Sequence, residues 1–273
     1  MDIYSYIPDE EYPKYDGFLS FLGMYEDHRR ITNYRRGLKR FRHLIKKKVA
    51  VEAGAGFGIF TEYMLRLGAK RVYAVEENEL MLKLLKKKFA NEPRVKIVEG
   101  LIEDFEPDEE IDFLVHDFWG SLLYDENLIS LERLKFKPRV VFPDRGELRY
   151  GVFKLEAFND KIVTPEVLNL LEGVLVSDLI PTRELPLKNV AYRWKFGRGL
   201  RKAKDVLLED GEVLVFGIKI LHGTDEICRS HYCYNWPYIW TKRVGNRFDL
   251  TFWEREPGYI EPKIKFFETE AGS

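Results

Sequence analysis

The sequence predicts an α/β fold in which a doubly wound, mostly parallel sheet is followed by an antiparallel β unit. Three observations predict it. Short apolar runs alternate with helical periodicities from Val49 to Val115, a glycine-rich turn stands at the first strand-to-helix junction, and the alternation stops after Arg145. Beyond that point β-type runs succeed one another with little helix between them.

With 273 residues, 45% hydrophobic and 33% charged, the chain can bury a sizeable core as one large domain or two modest ones, and it is not a disordered polymer. A net charge of −1 excludes a protein that coats nucleic acid through its overall field, while local patches stay open. No window is long and apolar enough to span a bilayer, so no membrane partner is expected. The acidic, interrupted start from Met1 to Glu11 does not read as a signal peptide. Cys228 and Cys233 cannot supply a disulfide framework for a chain this long, and are expected to be two small apolar residues in a β-rich stretch. The cytoplasm is therefore the expected compartment. No metal-ligand cluster is visible. The absence of glutamine beside abundant Lys, Glu and Arg suits a thermophile.

In chain order, Glu10 to Lys48 reads as helical. Its second half is crowded with Arg29, Arg30, Arg35, Arg36, Lys39, Arg40, Arg42 and Lys46 to Lys48, with Leu38, Phe41, Leu44 and Ile45 recurring at helical spacing. An amphipathic helix with a solvated basic face is the simplest account; a landing strip for an acidic partner or RNA is the alternative. Val49 to Glu52, Arg71 to Glu76, Val95 to Val98 and Ile111 to Val115 read as strands, with helices over Ile59 to Leu67 and Leu80 to Phe89. After Arg145 the expected strands are Leu148 to Phe158, Glu212 to Leu221, Phe248 to Trp253 and Ile260 to Phe267, and the one clear helix is Pro165 to Leu175.

The chemistry sits at three successive strand ends. Gly54, Gly56 and Gly58 follow Glu52, where a tight turn lets a ligand approach the backbone with no Cβ in the way. Glu76 ends the next strand, placed to accept both hydroxyls of a ribose. Glu103 follows the third beside Ile102, a pair suited to the amino group and ring edge of an adenine. The spacing fits the dinucleotide G-x-G-x-x-G imperfectly, and an acid immediately before the loop would repel a pyrophosphate but suit an ammonium. S-adenosylmethionine is the better fit, in a Rossmann-like domain.

Val49-Ala-Val-Glu-Ala-Gly-Ala-Gly-Phe-Gly58, Gly68 to Glu76, Phe142-Pro-Asp-Arg145 and the stretch Met24-x-x-Asp27-x-x-Arg30-x-x-x-Tyr34-Arg35 together resemble the protein arginine methyltransferases. The resemblance implies a class I methyltransferase fold with a C-terminal antiparallel, barrel-like β domain. Its divisions here would be a helical cofactor-covering segment at 1–48, the cofactor domain at 49–145 and a β-rich substrate-binding domain at 146–273. It implies that Arg30 binds the methionine carboxylate of the cofactor and that Tyr15, with Tyr12 its partner in an aromatic pair, helps close a helix over it. Two acids that grip a guanidinium would be Asp117 and Glu126, around the turn Trp119-Gly120; Asp117 is one methylene shorter than the glutamate of the family. Tyr234-Asn235-Trp236 stands where the family has Thr-His-Trp, so Asp27 would meet an amide. Met24, Asp27, Trp119, Asn235 and Trp236 complete the substrate side with Tyr12. Pro165 to Leu175 is the candidate dimerisation arm, which leaves a homodimer open. The acceptor expected is protein arginine. An RNA methyltransferase, a small-molecule N-methyltransferase and a non-catalytic cofactor binder are the alternatives.

Overall fold

A computed structural model describes residue 8 and residues 10–158, 163–177, 184–203, 209–256 and 259–268. Side chains at 12–17 and 20 lie outside that description. The helix expected over Glu10 to Lys48 is two helices, α1 (Tyr12–Glu26) and α2 (His28–Arg40), followed by a short 3₁₀ turn at Arg42–Leu44. Asp27 makes the break. Its backbone leaves the helical region at ψ 74°, and its Oδ1 accepts the Arg30 amide at 3.0 Å as an N-cap. Residues of ordinary helix propensity run through this point on both sides, and the cap marks the joint.

Five parallel strands follow: β1 (Val49–Ala53), β2 (Arg71–Glu76), β3 (Val95–Glu99), β4 (Phe113–His116) and β5 (Val140–Phe142), in the spatial order β3-β2-β1-β4-β5. β1 is buried along its whole length, as a central parallel strand covered on both faces must be. Helices α3 (Ile59–Arg66) and α4 (Glu79–Lys88) make the first crossovers, α4 being capped by Asn78, whose side chain accepts from Leu80 and Met81. Chain progress turns one way from β1 to β2 and the other way to β4. Ligands of open α/β sheets bind beyond the carboxyl ends of the strands at such a switch point.

The antiparallel unit starts at β6 (Arg145–Phe153), with α5 (Pro165–Leu170), β7 (Val176–Ser177), β8 (Asn189–Lys195), β9 (Gly199–Lys202), β10 (Val213–His222), β11 (Asp225–Arg229) and β12 (Ile239–Lys242). Its sheet order is β7-β12-β10-β6-β8-β9, with β11 also paired to β10. The hairpin β13 (Arg247–Glu256) and β14 (Tyr259–Phe267) packs against this sheet. Phe248 meets Tyr150 and Phe216 edge-on, and Phe252 meets Tyr192 and Tyr124. The strand expected at Leu148 to Phe158 begins three residues earlier and ends at Phe153, where a 3₁₀ turn takes over. The helix expected to Leu175 ends at Leu170, whose side chain is exposed. Short strands such as β5, β7, β9 and β12 carry too few residues for alternation to be read.

One expectation is corrected. Cys228 and Cys233 are paired as a disulfide, with Cα atoms 6.4 Å apart. The chain turns back after β11, Cys233 donating its amide to the Arg229 carbonyl at 3.1 Å, and this brings the two buried sulfurs together.

Helix α2 closes on the parallel sheet at Gly37, where an added Cβ would lie 2.5 Å from the Phe142 ring. Phe142 is fully buried between the two units, so it cannot yield. Gly37→Ala is expected to lower stability by about 1–3 kcal/mol, read as a fall in melting temperature with the far-ultraviolet spectrum unchanged.

Candidate active site

A cavity of about 540 Å³ opens at the carboxyl ends of β1, β2, β3 and β4, within the roughly 300–1,000 Å³ of ordinary small-ligand sites. Its floor is the glycine turn. Gly54, Gly56 and Gly58 all have positive φ, at +65°, +50° and +65°, so only glycine is unstrained there. A Cβ at Gly54 would lie 2.6 Å from the Phe118 ring, which closes over the turn from the strand end opposite.

Of the six carboxylates that line the cavity, with Glu77 and Glu126 among them, four come from three strand ends and one loop: Glu52, Glu76, Glu103 and Asp117. Glu52 accepts the amides of Phe60 at 3.2 Å and Thr61 at 2.6 Å, tying β1 to the start of α3. Burial pushes its carboxyl up to about 7 in spite of those donors. An ammonium could reach only its remaining lone pairs. Glu76 accepts the Gly56 amide at 2.7 Å with one oxygen and the Glu77 and Asn78 amides with the other. Glu103 takes the Ser130 hydroxyl at 3.1 Å, and its second oxygen is buried without a partner. Asp117 stands just past β4.

Asp117 is held hard. Tyr34 donates its hydroxyl to Oδ1 at 2.8 Å, and Arg30 pairs with Oδ2 at 3.1 Å. Burial raises its pKa, while Arg30 and Tyr34 pull the other way. Arg30 also donates to the Met24 carbonyl at 2.8 Å, which leaves Nε buried and unpartnered. The fork therefore clamps Asp117 and α1, and Nε is the one guanidinium nitrogen with no partner at all.

Glu126 differs. It has no hydrogen-bond or ion-pair partner among the described residues. It is an exposed residue on the cavity wall, and the surrounding protein pushes its carboxyl up to about 8, chiefly by desolvation and then by the charges of Asp125 and Asp117. The turn between the two acids is rigid. Asp125 accepts the Leu122 amide at 2.8 Å, and its carboxylate fills the space where a Cβ on Gly120 would stand.

A family model described as a methyltransferase domain matches residues 50–128. The chain carries a methyltransferase domain. Over 109 residues it is 33% identical to a probable protein arginine N-methyltransferase 6 of Arabidopsis thaliana, covering 39% of this chain and 25% of that one. Over 169 residues it is 27% identical to protein arginine N-methyltransferase 1 of Schizosaccharomyces pombe, covering 59% and 48%. The chain thus spans between a quarter and a half of the length of these relatives. The fold of the Trypanosoma brucei PRMT1 enzyme–prozyme complex with AdoHcy is similar at a TM-score of 0.65 and 14% identity, over 92% of this chain and 93% of that one. That of PRMT6 with SAH is similar at 0.67 and 11%, over 89% and 97%. At these identities the two solved structures share the fold, a parallel-sheet domain followed by an antiparallel unit.

Within this methyltransferase domain and its neighbours, Met24, Arg30 and Gly56 line the cavity with the four acids, Gly54 and Glu126. Gly58 stands behind the wall as the left-handed N-cap of α3. Tyr12 and Tyr15 fall on α1, with side chains outside the described residues.

Four residues expected on the substrate side sit elsewhere. Trp119 and Trp236 are core residues, only 1% and 2% exposed, and bond onward: Trp119 Nε1 to the Tyr34 hydroxyl at 3.1 Å, Trp236 Nε1 to the Trp119 carbonyl at 2.9 Å. Asp27 is buried and meets the backbone amide of Asn235 at 3.2 Å, not its side chain, which turns to the Gly23 carbonyl at 3.2 Å. These four clasp the β unit to the helices. Sequence reasoning missed Tyr34 as the donor to Asp117, Phe118 over the glycine turn, and Tyr259, which reaches the cavity wall from β14. Tyr34 was findable, since it lies in the quoted helix motif; Tyr259 had no sequence signal. Among the described residues no cluster is able to hold a metal, and no helix is long and apolar enough to cross a membrane.

Tyr34→Phe would leave Asp117 one donor short and Trp119 Nε1 unpaired in the core. The expected cost is about 1–3 kcal/mol in denaturant unfolding, because buried polar groups are left without partners. For Glu126, folding holds the proton that the unfolded chain releases near its ordinary value, so stability falls as pH rises from about 4.5 to 8. Glu126→Gln is expected to melt higher than the wild type at pH 7, with the difference vanishing below pH 4.5.

Proposed function

We propose that the protein is an S-adenosylmethionine-dependent N-methyltransferase whose acceptor is the guanidinium of protein arginine. The residues present fit the cofactor. The cradle at Gly54 and Gly56 would be blocked by side chains, Glu76 and Glu103 suit a ribose and an adenine amino group, and both Arg30 Nε and one Glu103 oxygen are buried without partners. S-adenosylmethionine, when bound, supplies a methyl group carried on a cationic sulfur.

The observation that carries the acceptor is the partnerless Glu126 carboxyl beside a firmly held Asp117, both on one cavity with the cofactor acids. A guanidinium is a poor nucleophile because it is cationic and its lone pairs are delocalised. Glu126, once ionised, accepts two of its N–H groups, and Asp117 offers its remaining lone pairs from the other side. Charge is drawn toward the bonded nitrogens, and a third nitrogen is aimed into the cavity; such positioning supplies much of the rate in a displacement of this kind. As that nitrogen gains a methyl the group must lose a proton, and the carboxylates bonded to the cation are the acceptors the cavity offers. Asp117, one methylene short and bound to Arg30 and Tyr34, acts as the fixed side of the grip and Glu126 as its adjustable side.

Tritiated methyl transfer to arginine-containing peptides tests the proposal, with transfer RNA and small amines as competing acceptors. Label is expected in peptide, and Glu126→Gln is expected to lose at least about a hundredfold in kcat/KM. Label in RNA or amine alone would overturn the acceptor. Because the guanidinium binds the ionised form of Glu126, kcat/KM is expected to rise about tenfold per pH unit below pH 8 and to level off above it.

A further inference from the structure

Helix α2 carries a strip of charge that methyl transfer does not use. Between Asp27 and Glu52 the chain has ten Lys and Arg and no Asp or Glu, although the whole chain carries a net charge of only −1. The structure sorts these cations. Arg30 is buried against Asp117, Arg40 pairs with Asp225, Lys48 pairs with Asp112, and Arg42 donates to the Leu67 carbonyl. Arg29, Arg35, Arg36 and Lys39 are exposed on the outer face of α2, and none has an acidic partner among the described residues. Lys39 lies three and four residues from Arg36 and Arg35, and Arg29 two helical turns before Arg36, which keeps the four on one side of the helix.

Aromatic rings are interleaved with them. The Arg29 guanidinium lies 5.2 Å from the Tyr232 ring centroid and 5.0 Å from that of Tyr234, both rings being exposed. Arg35 lies 5.7 Å from the Tyr63 ring. The loop bearing the two tyrosines is fixed at its base by the Cys228–Cys233 disulfide and by the Asn235 amide on Asp27. Rings held in place in this way are platforms with little ordering left to undergo.

We propose that this face is a docking surface for single-stranded RNA. Exposed rings beside unpaired guanidiniums suit a strand whose bases are splayed and able to stack, with phosphates following the cations; a duplex keeps its bases inside. An acidic peptide would satisfy the charges but offers the rings no stacking partner. The 13 residues of α2 span about 20 Å, enough for a few nucleotides. The proposal does not depend on the arginine reading, since it concerns a surface outside the cavity.

The test is fluorescence anisotropy of the full chain with a labelled 12-nucleotide single-stranded RNA, beside single-stranded DNA and duplex RNA of the same sequence and polyglutamate of matching charge. Single-stranded RNA is expected to bind most tightly, with a log–log salt slope of about −3, corresponding to about four phosphates engaged. The double variant Arg36→Glu with Lys39→Glu is expected to lose affinity at least about tenfold while keeping peptide methylation. Tyr234→Ala is expected to lose severalfold with the salt slope unchanged, which separates stacking from charge. All three positions are exposed, and equal melting temperatures confirm folding. No binding by the wild type, equal or tighter binding of duplex, DNA or polyglutamate, or an affinity indifferent to both variants would overturn the proposal.

Discussion

The ion pair between Arg30 and Asp117 is the interaction on which the rest of the site depends. It joins helix α2 to the end of the central sheet in surroundings where both partners are largely removed from water. Burying two charges is costly, and such a pair stands only where further donors and acceptors complete it; removing one partner then typically costs about 3–5 kcal/mol. Here the completion is extensive. Tyr34 donates to the same carboxylate, Trp119 donates to Tyr34, and Trp236 of the β unit donates to the Trp119 carbonyl. Asp27 caps the turn that bears Arg30 and holds the β unit through the Asn235 amide. One line of hydrogen bonds therefore runs from the antiparallel unit through the helices to the acid at the strand end.

That arrangement makes the two candidate gripping acids unequal. Asp117 cannot move without breaking its bonds to Arg30 and Tyr34 of α2. Glu126 follows a turn stiffened by Asp125 and Gly120, yet its own carboxyl is unheld. A shorter side chain at Asp117 is compatible with its contacts, because Arg30 and Tyr34 both come to meet it.

Much of the fold was legible in the sequence because its parallel half is periodic. β1, β2 and the glycine turn emerge at the expected places, since burial on both faces leaves an unbroken apolar run and the turn admits only glycine. The acids at 52, 76 and 103 were legible as a set for a related reason: strand ends are where a chain of this topology gathers side chains from distant positions. Those at 117 and 126 were marked by the family resemblance. What was not legible depends on direction. Trp119, Trp236 and Asp27 stand in the right motifs but turn into the core, Asn235 turns to the Gly23 carbonyl, and no spacing rule tells a ring that lines a cavity from one that closes a joint. Tyr259 reaches the cavity from a hairpin more than a hundred residues past the glycine turn, through packing that one sequence does not encode locally. The Cys228–Cys233 bond depended on a chain reversal only the tertiary structure makes.

The raised proton affinities of Glu52 and Glu126 have a consequence for the cavity as a whole. Six carboxylates lining one cavity would ordinarily repel one another and loosen the fold around them. With one acid near 7 and another near 8, two of the six hold their protons more tightly than free carboxyls do, which lowers that repulsion. A cation that enters displaces those protons and meets more negative charge than the cavity carries without it. The site thus behaves as a charge-regulated chamber, tolerable to the fold when vacant and most attractive to positive groups when they are already inside it.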